Sequence, residues 1–207
     1  MPLSIRPHRR NVRGDRDPLS TYFGPISPSV GGDKVNRIIL YSALATTYAK
    51  SDTGMAAAIV AAIAADTIWV PSGTLADDYT IPANVAVVGE SIVDMIFSGQ
   101  ITLSDGSVLE NISIVRSENS ASPIYGIVEG AGAISAEMRD VYINVSNADN
   151  AAYGVYMNNG GTIKAYNCEI LAETGSVGYA AYVVSADFYQ YGGRAVGTVT
   201  LEPYFTS

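Results

Sequence analysis

The amino-acid sequence predicts an all-β protein: a right-handed single-stranded parallel β-helix of about five coils, with an N-terminal capping α-helix and an extended basic arm. Two columns of self-similarity carry this expectation, together with a strand-rich pattern that begins only after one Ala-rich helical segment.

The first column consists of four aligned segments: Asn84-Val85-Ala86-Val87, Asn111-Ile112-Ser113-Ile114, Asp140-Val141-Tyr142-Ile143 and Asn167-Cys168-Glu169-Ile170, spaced by 27, 29 and 27 residues. A weaker fifth copy, Gln190-Tyr191-Gly192, follows 23 residues later. In each full copy an Asn or Asp precedes an apolar, a variable and an apolar residue, so alternation points two side chains inward. Asn and Asp best tolerate a left-handed backbone among non-glycine residues. Asn84, Asn111, Asp140 and Asn167 are therefore expected to line up at a tight turn, as a ladder of side-chain hydrogen bonds from coil to coil. The second column is Tyr125-Gly126-Ile127, Tyr153-Gly154-Val155 and Tyr179-Ala180-Ala181, spaced by 28 and 26 residues. Strands of a sandwich have no reason to share such a period, whereas stacked coils do.

The rest of the chain is ordered around this repeat. Residues 1–37 hold seven of the twelve Lys and Arg against three Asp, whereas residues 38–207 hold five against seventeen acids. Arg6, Arg9, Arg10, Arg13 and Arg16, in a segment broken by Pro2, Pro7, Gly14 and Pro18, read as an extended arm that becomes ordered on a partner surface. Residues 1–20 lack aromatic stacking partners and the acidic body repels phosphate, so nucleic acid is not the expected partner. Residues 21–36, rich in Pro, Gly and Ser, read as a linker. The expected organisation is arm and linker over 1–37, a short strand and capping helix over 38–66, and the β-helix over 67–207. Within the second region, a strand is expected over 38–44 and a helix over 55–65, capped by Asp52 or Thr53, with Met55, Ile59, Ala62 and Ile63 on one face. Short β-type runs follow at 68–70, 85–88, 112–115, 153–157 and 179–184.

Several classes are disfavoured at this level. The longest apolar run, 55–65, is about half the ~20 residues of a membrane span, and no secretory leader pattern opens the chain. Cys168 is the one cysteine, which leaves no internal disulfide and no cysteine-based metal cluster.

Residues 56–65, then Thr67-Ile68-Trp69-Val70-Pro71-Ser72-Gly73, then Thr80-Ile81-Pro82-Ala83-Asn84-Val85-Ala86-Val87-Val88-Gly89-Glu90, resemble the opening of pectate-lyase-like β-helices of the phage tailspike and tail-fibre type. The resemblance covers about residues 52–190. It implies a helix that caps the first coil, a virion location and association in threes. Residues 1–37 resemble the short basic leaders of some phage tail proteins.

Lyase and esterase members of the resembled group use acidic and basic side chains projecting from one sheet and its loops. The corresponding strands here, 124–128, 153–157 and 179–184, hold no carboxylate, Arg or Lys, so general acid and base work has no evident players. Glu129 and Asp149 at their borders read as solvated turn residues. Cys168 reads as a small core residue, His8 as part of the arm, Glu110 and Arg139 as a cross-strand ion pair, and Asp77 with Asp78 as a solvated loop pair. No catalytic residue, metal ligand or cofactor is assigned.

Tyr125, Tyr153, Tyr156, Tyr179 and Tyr182 are the residues expected to meet a glycan or another subunit, by offering flat apolar ring faces, or else to stack within the β-helix. The sequence thus points to a virion structural protein that serves as a rigid attachment or assembly module. It is expected to be a homotrimer whose arm docks to other virion proteins. A polysaccharide depolymerase, lyase or esterase and a non-catalytic module for cell-surface glycan are the alternatives.

Overall fold

A computed structural model describes residues 37–43, 45–174 and 177–197. Residues 1–36, which include His8, the five arginines of the arm and the linker, and residues 198–207 lie outside the described residues.

The chain enters through β1 (Arg37–Tyr41) and β2 (Thr46–Ala49), an antiparallel pair, and α1 (Asp52–Ala61) follows. From β3 (Thr67–Val70) onward every strand pairing is parallel, and the result is a β-solenoid of about five turns. β1 closes the low end of the first sheet by pairing antiparallel with β3.

Three parallel ribbons make the wall. The first is built from β3, β6 (Ala86–Gly89) and the opening halves of β9 (Val108–Glu118), β11 (Ser135–Asn147), β13 (Thr162–Thr174) and β15 (Asp187–Gly197). The second takes β4 (Gly73–Leu75), β7 (Met95–Phe97) and the closing halves of the same long strands. The third is a separate sheet of β5 (Tyr79–Ile81), β8 (Ile101–Leu103), β10 (Ile124–Glu129), β12 (Ala152–Met157) and β14 (Gly178–Val183). Inward residues stack in files across the coils. Ile68, Val87, Leu109, Met138 and Ala165 form one, and Leu75, Phe97, Ile114, Ile143 and Ile170 another, all buried.

The corner between the first and second ribbons is where the turn residues act. Asn111, Asp140 and Asn167 have φ of 57, 49 and 53° and align from coil to coil. One left-handed residue redirects a strand without interrupting it, which is why β9, β11 and β13 each run through the corner. The ladder differs from the sequence expectation in three ways. Asn84, φ 57°, aligns with Gly106 and Ala65, also left-handed, and so belongs to the corner that leads into the first ribbon. In the last coil Gly192, φ 73°, rather than Gln190, continues the file, since Tyr166 pairs with Tyr191. Among the described residues no hydrogen bond joins one ladder side chain to the next. Asn111 instead reaches backbone of the coil below, donating to the Gly89 carbonyl at 3.0 Å and accepting from Ile92 N–H at 3.1 Å. The repeat length is not constant either: Thr67, Ala86, Val108, Glu137, Lys164 and Tyr189 lie in register, so the first two coils are shorter than the later ones.

The helix is capped one residue earlier than expected, by Ser51, whose Oγ accepts from Gly54 N–H at 3.1 Å. It ends at Ala61, with Ala62 already extended. Beyond it, the Asp66 carboxylate accepts from Ile63 N–H at 2.9 Å, and Ala65, φ 73°, donates to the Asn84 carbonyl at 2.7 Å. Those bonds belong to the corner and compete with helix continuation. Met55 and Ala58 therefore form the buried stripe, while Ile63 is exposed. Asp52, in the first turn, ties α1 to the wall: its Oδ1 accepts from Tyr79 Oη at 2.5 Å and from Ala76 N–H at 2.7 Å.

Two measurements test these contacts. Asp140 is exposed and its side chain makes no hydrogen bond among the described residues, so its backbone conformation is what a substitution disturbs. Asp140→Val is expected to lose about 1 to 2 kcal/mol in urea denaturation, while Asp140→Gly stays near wild type. The Tyr79 hydroxyl, followed by the backbone donors, holds the Asp52 carboxyl below its ordinary value. A depressed carboxyl stabilises the fold above its unfolded pKa, and that contribution fades as pH falls through the folded value. The urea midpoint of Tyr79→Phe should therefore lie furthest below wild type above about pH 4, with the gap closing on further acidification.

Candidate functional site

The third ribbon owes its outer surface to a break in strand alternation. In β12, Gly154 and Val155 both face the interior, so Tyr153 and Tyr156 both face out. β10 and β14 repeat the device at Gly126-Ile127 and Ala180-Ala181. Glycine is needed where this ribbon presses on the second one: a Cβ at Gly154 would sit 2.5 Å from Ile170 Cγ2 and 2.6 Å from the Ala180 carbonyl oxygen.

Two files of tyrosine result. Tyr125, Tyr153 and Tyr179 lie in register, with ring centroids 5.2 and 5.1 Å apart and planes within 14°. Tyr156 and Tyr182 form the second file, 5.5 Å apart and within 2° of parallel. Rings of different files meet edge-on, Tyr153 against Tyr156 and Tyr182 at 5.4 Å and 75°. All five are half-buried, and Tyr153 touches the other four. The structure thus brings all five predicted tyrosines together, but their ring faces are largely taken up by one another rather than left flat for a sugar. Burial, then the neighbouring phenols, pushes the Tyr153 hydroxyl above its ordinary pKa, and burial does the same to Tyr125.

Its two borders are fixed by buried polar side chains. Glu129 sits in the inward file of Ile81, Leu103, Met157 and Val183 and is only 2% exposed, which overturns its reading as a solvated turn residue. Its carboxylate accepts from three backbone N–H groups of the coil above: Asn158 at 2.8 Å, Asn159 at 2.7 Å and Gly161 at 2.5 Å. Asn147, fully buried at the opposite corner, accepts from Ser120 and Asp149 N–H and donates to the Ser120 and Ser122 carbonyls. Each side chain does for a loop what the ladder hydrogen bonds do for a strand. Asp149 is exposed, as the sequence suggested.

Next to Asn147, Ser117, Glu118, Asn119, Ser146, Ala148 and Glu173 surround an open groove of about 290 Å³. Glu118 is paired with Arg116 at 2.5 Å. Arg139 pairs with Glu137 of its own strand at 2.6 Å rather than with Glu110, although Glu110 lies beside it in register. The i, i+2 partner is on the same face and reaches the guanidinium without crossing coils. Cys168 is fully buried, and desolvation pushes its thiol up to about 11. Asp78 accepts from Gln100 N–H at 2.6 Å, a link between neighbouring coils. Among the described residues no group of three or more His, Cys, Asp or Glu side chains is placed to hold a metal, and no helix is long and apolar enough to cross a membrane.

No protein-family model matches this chain, and no curated protein does.

The Glu129 clamp is open to direct test. Glu129→Ala leaves three N–H groups, that of buried Gly161 among them, without their acceptor and should cost about 1 to 3 kcal/mol in denaturant unfolding. Glu129→Gln, which keeps one acceptor oxygen and turns an NH₂ toward a donor, should fall between it and wild type.

Proposed function

We propose that the chain is a virion structural protein, a right-handed parallel β-helix of the pectate-lyase-like, phage tailspike or tail-fibre type. It serves as a rigid attachment or assembly module, with α1 as the cap of its first coil. The observation that carries this reading is the engagement of polar side chains in holding coil to coil. Glu129, Asn147, Asn111 and Asp78 bind backbone of a neighbouring coil, and Arg194 pairs with Glu169 across coils. Such a wall is stiff, since each coil is fixed by main-chain ladders and polar clamps on both sides. The basic arm, with Arg6, Arg9, Arg10, Arg13 and Arg16, docks to other virion proteins, and the acidic body projects from the particle as a homo-oligomer, with a trimer favoured.

The open groove favours a second reading, in which a cell-surface glycan is bound or cleaved. Glu118 and Glu173 with serine and asparagine side chains are suited to sugar hydroxyls, but in this reading the groove, not the tyrosine faces, is the contact.

The test is fractionation of the native source on a density gradient with an antibody against this protein. It should travel with particles, and full-length Arg9→Glu/Arg10→Glu/Arg13→Glu should fail to incorporate while keeping the wild-type circular dichroism. Protein found only free of particles would defeat the proposal. Cleavage of a glycan from an acidic and neutral panel, lost in Glu173→Gln, would establish the second reading instead.

A further inference from the structure

The outward row of the third ribbon is chemically unlike the rest of the wall. Thr80, Thr102, Val128, Tyr156 and Tyr182 lie in register as one file across five coils, with Tyr125, Tyr153 and Tyr179 beside them. None of these eight side chains carries a formal charge. The outward rows of the first ribbon, by contrast, present Glu110, Glu137, Arg139 and Lys164, and those of the second Glu169 and Arg194.

We infer that this uncharged ribbon is a self-association surface whose occupant is a second copy of this chain. The inference rests on the structural-module reading above and names the face through which that module assembles. Three arguments select the occupant. Residues 38–207 carry seventeen acids against five basic residues, so two copies repel overall, and the neutral ribbon is a face on which close approach brings no further like charges together. Tyrosine and threonine hydroxyls both donate and accept, so the patch is complementary to itself, whereas a carboxylate or guanidinium row needs an opposite partner. The surface is also a sheet face rather than a cleft. The groove of about 290 Å³ at the neighbouring corner is lined by none of these residues, and small ligands prefer concave sites.

Size sets the strength of the contact. Three strands of six residues and two of three, at ~3.3 Å per residue and stacked ~4.8 Å apart, give a face of about 380 Å² per copy, or roughly 760 Å² in total, below the standard range of stable complexes. Association is therefore weak and concentration-dependent. The rings are already packed against one another, so little side-chain freedom remains to be lost on contact.

Sedimentation equilibrium of the full chain tests this, comparing wild type with Thr102→Glu/Val128→Glu, which sets two carboxylates in the centre of the file. Lys164→Glu, which adds negative charge to the first ribbon, is the control. Wild type should gain mass with concentration, the double variant should associate at least tenfold more weakly with an unchanged circular dichroism spectrum, and the control should stay within about threefold of wild type. Hydroxyl-radical footprinting of wild type supplies a readout that needs no variant: Tyr125, Tyr156 and Tyr182 should become protected at high concentration while Tyr191 does not. A wild type that stays monomeric throughout, a folded double variant that associates like wild type, or unprotected tyrosines would overturn the inference. So would a monomer whose binding to a glycan is abolished by Thr102→Glu/Val128→Glu, which would give the face to a sugar. Incorporation into particles despite any of these results would leave the structural-module reading standing without this interface.

Discussion

A parallel coil must come back over its own start one strand spacing higher, with every inward side chain still inward. Because side chains alternate along a strand, a slip of one residue would turn a buried file to solvent. The corner between the first and second ribbons meets this constraint with a single left-handed residue in three coils, Asn111, Asp140 and Asn167, and with the pair Gly192 and Gly193 in the last. Ile112, Val141 and Cys168 follow them directly into the core, all fully buried. The fixed corner sets the facing of the whole second ribbon.

The interior is apolar wherever strand lies on strand, and polar where a loop crosses a neighbouring coil. Glu129 occupies a position that Ile81, Leu103 and Met157 fill in other coils, because the loop above it turns three N–H groups inward. Asn147 answers the opposite corner with donors and acceptors together. Replacing either by an apolar residue would keep the packing and strand the backbone groups. Between these two clamps the third ribbon holds its tyrosines at fixed spacing, so the surface proposed for assembly is positioned from within.

Much of this architecture is legible in the residues. The left-handed tolerance of Asn and Asp marks the corner, and the spacing of Tyr125, Tyr153 and Tyr179 marks coils that the structure does place in register. The same chemistry misleads at Asn84, since a left-handed residue is equally suited to either corner and local preference does not say which. The helix end was obscured for a similar reason: residues 62–65 have helical propensity, yet the corner bonds of Ala65 and Asp66 compete for them. Glu129 could have been found, because counting alternation forward from Ile127 turns it inward and Asn158-Asn159-Gly160-Gly161 supplies a bare loop one coil later. The pairing of Arg139 with Glu137 rather than Glu110 depends on side-chain reach, which spacing alone does not convey.

The register itself is the claim on which the wall, the clamps and the tyrosine ribbon all depend, and disulfide trapping measures it most directly. The structure pairs Glu110 with Arg139 and Val108 with Glu137. Glu110→Cys/Arg139→Cys should therefore oxidise readily to a bridged monomer. Glu110→Cys/Glu137→Cys, displaced by two residues and about 8 Å apart, lies beyond the reach of a disulfide and should remain reduced. Bridging of the second pair with none in the first would show that the coils do not stack as described.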